Sequence, residues 1–169
     1  MPEYARRYPY HQSDMLLLDL QEHVRKQGCL TLEQLEKAAR WKSPRRAAAV
    51  RRNAEEFVRD ATGIALSSHN ERVRIEVLTL LDGVSWPTAS VILHFFHNEQ
   101  YPIIDTRALW SVSMEGPARY TFNLWWAYVN YCRKIAQRTG LDMRTLDRAL
   151  WQYSKENQRS GIQANRTSR

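Results

Sequence analysis

Residues 78–112, which read LTLLDGVSWPTASVILHFFHNEQYPIIDTRALWSV, are the stretch of this chain that decides its fold. An apolar helix end runs into a tight turn at 82–85, and a second apolar helix opens on Trp86 and Pro87, since proline is tolerated in the first helical turn. A loop then brings a lone carboxylate, Asp105, to the start of a third helix. Backbone amides at such a turn can bind a phosphate, so the stretch predicts a phosphate contact beside one fixed acid.

Helical signals extend from this stretch towards both ends of the chain, and no alternating strand pattern of useful length interrupts them. Thr31 with Gln34 forms a capping box, Ser43 followed by Pro44 predicts a helix start, and Gly140 predicts a helix end. The fold class is therefore all-α, with about eight helices. The predicted helices span about 13–27, 31–41, 43–61, 68–81, 86–97, 106–113, 121–139 and 142–153.

The helix at 121–139 has an apolar face on which the first helix is expected to pack. Leu16, Leu17 and Leu20 recur at helical spacing on that first helix. Beyond residue 155 the polar stretch 156–169 has no such periodicity and is expected to be a disordered tail. The expected partners of the three leucines are Phe122, Trp125, Trp126, Val129, Ile135 and Ala136.

The composition predicts one domain with a sizeable core, because 43% of the 169 residues are hydrophobic. No run of 18 apolar residues and no secretory signal are visible, so we expect a cytoplasmic protein without membrane contact. The two cysteines, Cys29 and Cys132, are far apart and fit no disulfide or metal framework. No metal and no other cofactor is expected, and the protein is expected to be a monomer.

The charge of the chain favours a polyanionic partner, because the formal net charge is +7. Basic residues concentrate at 42–74 and at 155–169, whereas 75–105 contains no Lys or Arg. A phosphate at the turn would therefore meet backbone amides, and cations would come from the flanking segment, first of all from Lys42, Arg45 and Arg46. For each of these cations, the simpler interpretation is a solvated side chain on a helix surface.

The turn and its flanks resemble the helix-hairpin-helix/GPD superfamily of base-excision DNA glycosylases, the endonuclease III-like proteins. The residues that match its hairpin pattern are Leu81, Gly83, Val84, Thr88 and Ala89. The segment Ile104-Asp105-Thr106-Arg107 is similar to the loop that presents the catalytic Asp in that superfamily, and Asp105 follows Pro87 at the interval found there. The resemblance covers about 35 of the 169 residues.

The resemblance implies a two-lobed helical domain over residues 1–155 with a helix-hairpin-helix motif and an active cleft between the lobes. The hairpin lobe would be about 30–115, and 1–29 would join 116–155 in the other lobe. The implied activity is a DNA glycosylase that extrudes a modified or mismatched base from double-stranded DNA and hydrolyses its N-glycosidic bond. Asp105 would activate the attacking water and stabilise the oxocarbenium-like sugar.

The resemblance also implies which residues contact DNA. Hairpin contacts of this kind position the duplex and do not read its sequence. The base pocket or wedge needs aromatic side chains, for which Trp41, Tyr101 and Tyr10 are the candidates. The implied backbone contacts, beside the three cations named above, are Gly83, Val84, Ser85, Trp86 and Thr88.

Departures from the superfamily pattern narrow the expected chemistry. Bifunctional members have a Lys just before the Thr-Ala pair, where this chain has Pro87, so Schiff-base chemistry by that route is excluded and hydrolysis by water is expected. Lys42 is the one lysine near the expected cleft that could replace the missing Schiff-base nucleophile. Ser85 replaces the second hairpin Gly, and serine adopts a positive φ less readily. The two cysteines do not suffice for the iron–sulfur cluster of some members.

Simpler interpretations stay open beside the resemblance. Asp105 can be a helix N-cap and nothing more. His94 and His97 are expected to pack or to face solvent, and Glu99 and Glu115 are candidate second acids between which the sequence does not choose. The chain can also be a non-catalytic helix-hairpin-helix DNA-binding module, or a helical protein-interaction domain with an acidic partner. Binding to nucleic-acid phosphates should weaken steeply with salt. If the chain is a protein-interaction domain, its binding to nucleic acid should depend little on salt.

Overall fold

The computed structural model describes residues 1–9, 12–114, 116 and 118–164, with side chains described through residue 158. This described part is all-helical and contains ten α-helices, one 3-10 helix and no strand. None of these helices combines the length and the apolar character that a membrane-spanning segment needs. The 3-10 helix is Val77–Leu80, and the α-helices are α1 (Pro2–Arg7), α2 (Gln12–Gln27), α3 (Leu32–Lys42), α4 (Pro44–Val50), α5 (Glu55–Ser67), α6 (Glu71–Glu76), α7 (Trp86–Phe96), α8 (Thr106–Ser111), α9 (Phe122–Thr139) and α10 (Met143–Ala164).

Several helix ends lie where the capping residues predict them. The Thr31 side chain accepts the Gln34 amide and the Gln34 side chain accepts the Thr31 amide, so the predicted capping box opens α3. Helix α9 ends at Gly140, whose φ of 67° lies in the left-handed region that glycine adopts at low cost. Asp142 accepts the Thr145 amide at 2.8 Å and caps α10. The structure confirms these predicted ends. They could be predicted because each depends on contacts between near neighbours in the chain.

The prediction of one helix over 43–61 is wrong, because α4 and α5 form there with a break between them. The Asn53 side-chain amide donates to the Val50 carbonyl at 2.8 Å and to the Asp82 carbonyl at 3.0 Å, and its side-chain oxygen accepts the Asp82 amide at 2.9 Å. An Asn side chain bonded to the backbone in this way competes with continued helix. Gly63, two residues past the end of that predicted helix, lies inside α5.

Three further boundaries differ from the prediction. Helix α1 was not expected. Helix α6 begins after Asn70, whose side chain accepts two amides of the first turn, and does not begin at Ser68. Helix α10 continues to Ala164, well past the predicted end near Tyr153, so the predicted disordered tail is helical over 156–164. Residues 165–169 lie outside the described residues.

The helices pack in two groups. In one group, α2 to α6 and the 3-10 helix surround the largely buried α7. In the other group, α1, α8 and α9 pack on α10. Helix α2 contacts α3 and α7, whereas its expected partner α9 contacts α6 and α10. Leu17 is buried, but Leu16 is 49% exposed, so the predicted packing of Leu16 against α9 is wrong. The segment before α8 runs between the two groups and places Asp105 there.

Candidate active site

The turn that precedes α7 lies against α4, and its conformation depends on Gly83. Gly83 has a φ of +81°, and a Cβ atom at this position would lie 2.9 Å from the Val50 nitrogen and 3.0 Å from the Arg46 carbonyl oxygen. Asn53 binds both the amide and the carbonyl of Asp82. The predicted turn is therefore present, and its close approach to α4 requires a glycine.

The start of α7 leaves backbone amides without partners. The Ser85 side chain makes no capping hydrogen bond, and within the described residues no acceptor receives the amides of Ser85, Trp86 and Thr88. The side chains of Val84 and Thr88 are buried, and the Val84 amide donates to the Leu81 carbonyl at 3.1 Å. The predicted backbone contact through Val84 is therefore wrong, because its amide is already bonded and its side chain is buried, whereas the amide of Thr88 remains available. The free amides keep this helix start suited to an anion.

Asp105 lies at the start of α8, and each of its carboxylate oxygens accepts one hydrogen bond. Oδ1 accepts the Ala108 amide at 2.8 Å, so the predicted N-cap is confirmed. Oδ2 lies 2.7 Å from Lys42 Nζ. The Lys42 and Asp105 side chains are 13% and 21% exposed, so solvent screens this ion pair only partly. The loop before Asp105 is fixed by Ser90, whose hydroxyl accepts the Ile104 amide at 3.0 Å.

An inner cavity of about 290 Å³ lies between the two helix groups, with Asp105 on its wall. Three aromatic side chains line it, Tyr8, Trp41 and Trp151. Tyr8 and Trp151 pack edge to face with ring centroids 5.4 Å apart, and Trp41 packs in the same way on Phe95 at 5.6 Å. Rings locked by such contacts form a rigid wall suited to one planar heterocycle. The remaining lining residues are Ser13, Lys42, Ile103, Ala108 and Asp147.

A larger outer cavity of about 560 Å³ adjoins the first, and Lys42 and Asp105 line both. Arg46 and Arg119 are exposed, and neither forms an ion pair within the described residues. The outer cavity therefore combines free positive charge with the free amides at the start of α7. Its other lining residues are Ser43, Ser85, Trp86, Pro87, Thr106, Ala118 and Tyr120.

Asp147 on α10 is a second carboxyl of the inner cavity, and it does not line the outer one. Its residue is 7% exposed. Oδ1 accepts the Ile103 amide at 3.2 Å, and Oδ2 accepts a hydrogen bond from Arg144, also at 3.2 Å. Burial, assisted by the charge of Asp105, raises the pKa of Asp147 to about 6 against the opposing charges of Arg144 and Lys42.

Two of the three candidates for the base pocket, Trp41 and Tyr101, lie within the described residues, and only Trp41 lines the inner cavity. Trp41 lines the inner cavity, whereas Tyr101 is fully buried, with its ring stacked on Trp125 and its hydroxyl donating to Glu71. The prediction of Tyr101 as a pocket or wedge residue is therefore wrong, because its side chain belongs to the core. Tyr10, the third candidate, lies outside the described residues.

The basic segment 42–74 offers less free charge than its composition suggests. Arg45 and Arg46 are exposed and form no ion pair within the described ranges, and of the two only Arg46 lines the outer cavity. Exposed ion pairs are weak individually, but they reduce the charge available to a ligand. The paired arginines of the segment are Arg51 with Glu36, Arg52 with Asp82, Arg59 with Glu55, Arg72 with Glu76, and Arg74 with Glu71 and Glu99.

The histidines bind backbone groups. His94 Nδ1 lies 2.6 Å from the Tyr101 carbonyl oxygen, and His97 Nδ1 accepts the Glu99 amide at 2.9 Å, so the packing interpretation of both is confirmed. Glu99, one of the candidate second acids, pairs with Arg74 and lines neither cavity. In the part of the chain that the structure describes, no group of three or more His, Cys, Asp or Glu could hold a metal ion.

Most residues that line the two cavities were not among the predicted site residues, and four of them matter for the chemistry of the site. Asp147 had a sequence signal, since it lies between Leu146 and Leu150 on the apolar face of α10, where an acid is unusual. No local sequence pattern identifies the other three as cavity residues, because their positions at the cavities depend on how α1, α8 and α10 pack. The four residues are Tyr8, Arg119, Asp147 and Trp151.

No protein-family model, curated protein or solved structure matches this chain. The class of site is therefore defined by geometry: a partly buried carboxylate shared by an aromatic-walled cavity and a basic one.

Proposed function

We propose that this chain is a DNA glycosylase of the monofunctional type, which extrudes a modified or mismatched base and hydrolyses its N-glycosidic bond. The observation that supports this most is the position of Asp105 on the common wall of an aromatic and a basic cavity. A nucleotide consists of base, sugar and phosphate in that order. The inner cavity, the carboxylate and the outer cavity match this order.

The inner cavity suits the base. Tyr8, Trp41 and Trp151 surround a space of about 290 Å³. Stacking of a base on an aromatic side chain contributes about 1–3 kcal/mol, which offsets part of the cost of unstacking it from the duplex. Trp151 is itself covered by the Arg107 guanidinium, 5.6 Å from the ring centroid.

The outer cavity suits the sugar-phosphate backbone. Free amides at Ser85, Trp86 and Thr88 lie at the positive end of the α7 dipole, and Arg46 and Arg119 add full positive charges. In this proposal the 3-10 helix, the turn and α7 act as a helix-hairpin-helix motif. Its contacts position the duplex and leave base selection to the inner cavity.

In the proposed reaction Asp105 faces C1′ of the extruded nucleotide. The bond from C1′ to the base nitrogen breaks, its electron pair leaves with the base, and the carboxylate stabilises the positive charge that develops on the sugar. A water molecule forms the new bond to C1′ and gives its proton to Asp105. Lys42, with Nζ 2.7 Å from Oδ2, acts as a positioning residue that fixes the direction of the carboxylate.

Hydrolysis by water is preferred over an amine nucleophile for two reasons. Pro87 has no side-chain amine at the position of the superfamily's lysine. The Lys42 amine is engaged as the cation of an ion pair with Asp105, and an ammonium has no free electron pair with which to attack a sugar carbon.

Asp105→Asn tests the proposal. Duplexes that contain uracil, alkylated, deaminated or oxidised bases are incubated with the protein and then treated with alkali, which breaks the strand at abasic sites. We expect strand breaks with the wild type and a rate lower by about 10²–10⁴-fold with D105N, at unchanged DNA affinity. D142N is the matched control, since Asp142 also caps a helix but lines neither cavity. A wild type that binds DNA and releases no base contradicts the proposal.

A non-catalytic DNA-binding module is the second candidate. It is favoured by the two hydrogen bonds of Asp105, which already give both carboxylate oxygens a structural role. This alternative predicts salt-dependent DNA binding without base release from any duplex. A protein-interaction domain, by contrast, would bind nucleic acid with little dependence on salt.

A further inference from the structure

The inner cavity contains two carboxyls from different helices. Asp105, at the start of α8, lines both cavities, whereas Asp147, on α10, lines the inner cavity alone. If the inner cavity holds the base, Asp147 faces the base and Asp105 faces the sugar. This difference in position, which rests on the proposed function, gives the two carboxyls different chemical roles.

Two carboxyls near the inner cavity share one cation. Lys42 pairs with Asp105, while Arg144 pairs with both Asp14 and Asp147. Asp14 is fully buried. The Arg144 guanidinium therefore divides its charge between two carboxylates and compensates the charge of Asp147 only in part.

Asp147 holds a proton more readily than an ordinary carboxyl, because burial raises its pKa to about 6. Among the described residues, the other titratable groups near it are Tyr8, which follows α1, and Tyr128 and Cys132 from α9. Burial raises the pKa of all three, so they stay neutral near pH 7 and add no charge. A pair of carboxyls whose surroundings separate their proton affinities is the arrangement that acid–base catalysis uses.

We propose that Asp147 is the general acid that protonates the departing base, and that the substrates are neutral bases, such as deaminated, oxidised or mismatched ones. A neutral base leaves as an anion unless it gains a proton as its bond breaks. A cationic alkylated base leaves as a neutral molecule and needs no acid. A buried acid beside the base is useful only for a neutral base, so its presence indicates that the substrates are neutral bases.

The proposed step balances without any co-reactant other than water. The bond from C1′ to the base nitrogen breaks and its electron pair goes to the base. The Asp147 proton moves to a nitrogen or oxygen of the base, which leaves as a neutral molecule. Water bonds to C1′ and its proton moves to Asp105. The products are the free base and an abasic sugar, and transfer of the proton from Asp105 to the Asp147 carboxylate restores both groups.

Single-turnover base release by the full chain tests the role of Asp147. One set of duplexes contains neutral target bases, uracil, hypoxanthine or 8-oxoguanine, and the other contains the cationic base 7-methylguanine. We expect D147N to lower the release of neutral bases by about 10²–10³-fold and that of the cationic base by at most a few-fold. Equal loss for both sets, or no loss for neutral bases, overturns the proposal.

D142N carries the same substitution at the N-cap of the same helix, outside both cavities, and it should match the wild type on every duplex. If D147N does not fold, the pH dependence of base release by the wild type still tests the role of Asp147. Its release of neutral bases should fall about tenfold per pH unit above pH 6, where Asp147 loses its proton, and its release of the cationic base should not. Identical pH profiles for both sets overturn the proposal.

Failure of the proposed function gives a different result. A wild type that releases no base from either set overturns the glycosylase itself, and the role of Asp147 is then rejected with it. A wild type that releases bases through Asp105, with no difference between neutral and cationic targets in D147N, rejects the general acid alone.

Discussion

Lys42 Nζ lies 2.7 Å from Asp105 Oδ2, and this ion pair joins the end of α3 to the start of α8. The two residues are 63 positions apart in the chain, and both line the inner and the outer cavity. Their side chains are 13% and 21% exposed, so the pair lies between the exposed pairs of the surface and a fully buried one. It links the two helix groups across the site.

A double-mutant cycle should measure a favourable coupling in this pair. Either Lys42→Met or Asp105→Asn leaves the other partner partly buried without its counterpart, so we expect each to lower the free energy of unfolding by about 1–3 kcal/mol. The double variant should lose less than the sum, with a coupling of about 1–2 kcal/mol in urea unfolding.

The exposed pair of Lys26 and Glu22 is the control for that cycle, because its N–O distance is also 2.7 Å but its side chains are 76% and 81% exposed. Lys26→Met with Glu22→Gln should give a coupling below about 0.5 kcal/mol. Equal couplings for the two pairs would mean that burial of the site does not strengthen the Lys42 contact.

Gly83→Ala should destabilise the protein more than the same change at Gly28. Both glycines have positive φ, +81° and +75°, so alanine at either costs about 1 kcal/mol in backbone strain. At Gly83 the new Cβ also meets the α4 backbone at 2.9–3.0 Å, while at Gly28 it meets nothing within 4 Å. We expect about 2–4 kcal/mol at Gly83 and about 1 kcal/mol at Gly28 in urea unfolding. Similar losses would show that the turn does not pack closely on α4.

Neutralising Arg46 and Arg119 should weaken DNA binding in a salt-dependent way. Both arginines are exposed beside the outer cavity and unpaired within the described residues. Each phosphate contact that is lost should lower the slope of log affinity against log salt by about 1, as measured by fluorescence anisotropy on an unmodified duplex.

Arg59 supplies the control for this measurement, because it pairs with Glu55 at 2.8 Å and lines neither cavity. Arg59→Gln should leave the salt slope within experimental error of the wild type. A slope that decreases equally for Arg59 and Arg46 would indicate a diffuse charge effect with no defined phosphate site.

The stability of the protein should report the proton on Asp147. Burial raises the pKa of this carboxyl from 3.8 to about 6, so between these values the folded protein holds a proton that the unfolded chain has lost. The contribution of Asp147 to the free energy of unfolding therefore falls as pH rises from about 4 to 6, by up to about 3 kcal/mol. The stability of D147N relative to the wild type should rise across this interval.

Urea unfolding at pH 4.5 and pH 7.5 checks this expectation, with D142N as the control. Hydrogen bonds from Thr145 outweigh burial and lower the pKa of Asp142, so its stabilising effect is lost only at more acidic pH. The difference between D142N and the wild type should therefore stay constant between the two pH values. A constant difference for D147N as well would place its pKa near the ordinary value and remove the support for a stored proton.

Prediction from the sequence succeeded at several positions where the deciding contacts are local. The Thr31 capping box, the end of α9 at Gly140 and the cap of α8 by Asp105 each involve residues within four positions of one another. Two of the failures concern contacts that are distant in the chain. The helix predicted over 43–61 breaks because Asn53 binds Asp82, and Tyr101 lies in the core because α6 and α9 close over it.

By itself, the sequence determined that the chain is helical, that a glycine turn precedes α7 and that Asp105 caps α8. These features follow from backbone conformation and from hydrogen bonds between near neighbours, which the residue types at fixed spacings specify. Only the tertiary structure decided that Lys42 pairs with Asp105 and that Asp147 enters the same cavity. Helical periodicity specifies which face of a helix is buried, but it does not specify the helix that covers that face, so residues far apart in the chain meet only through packing.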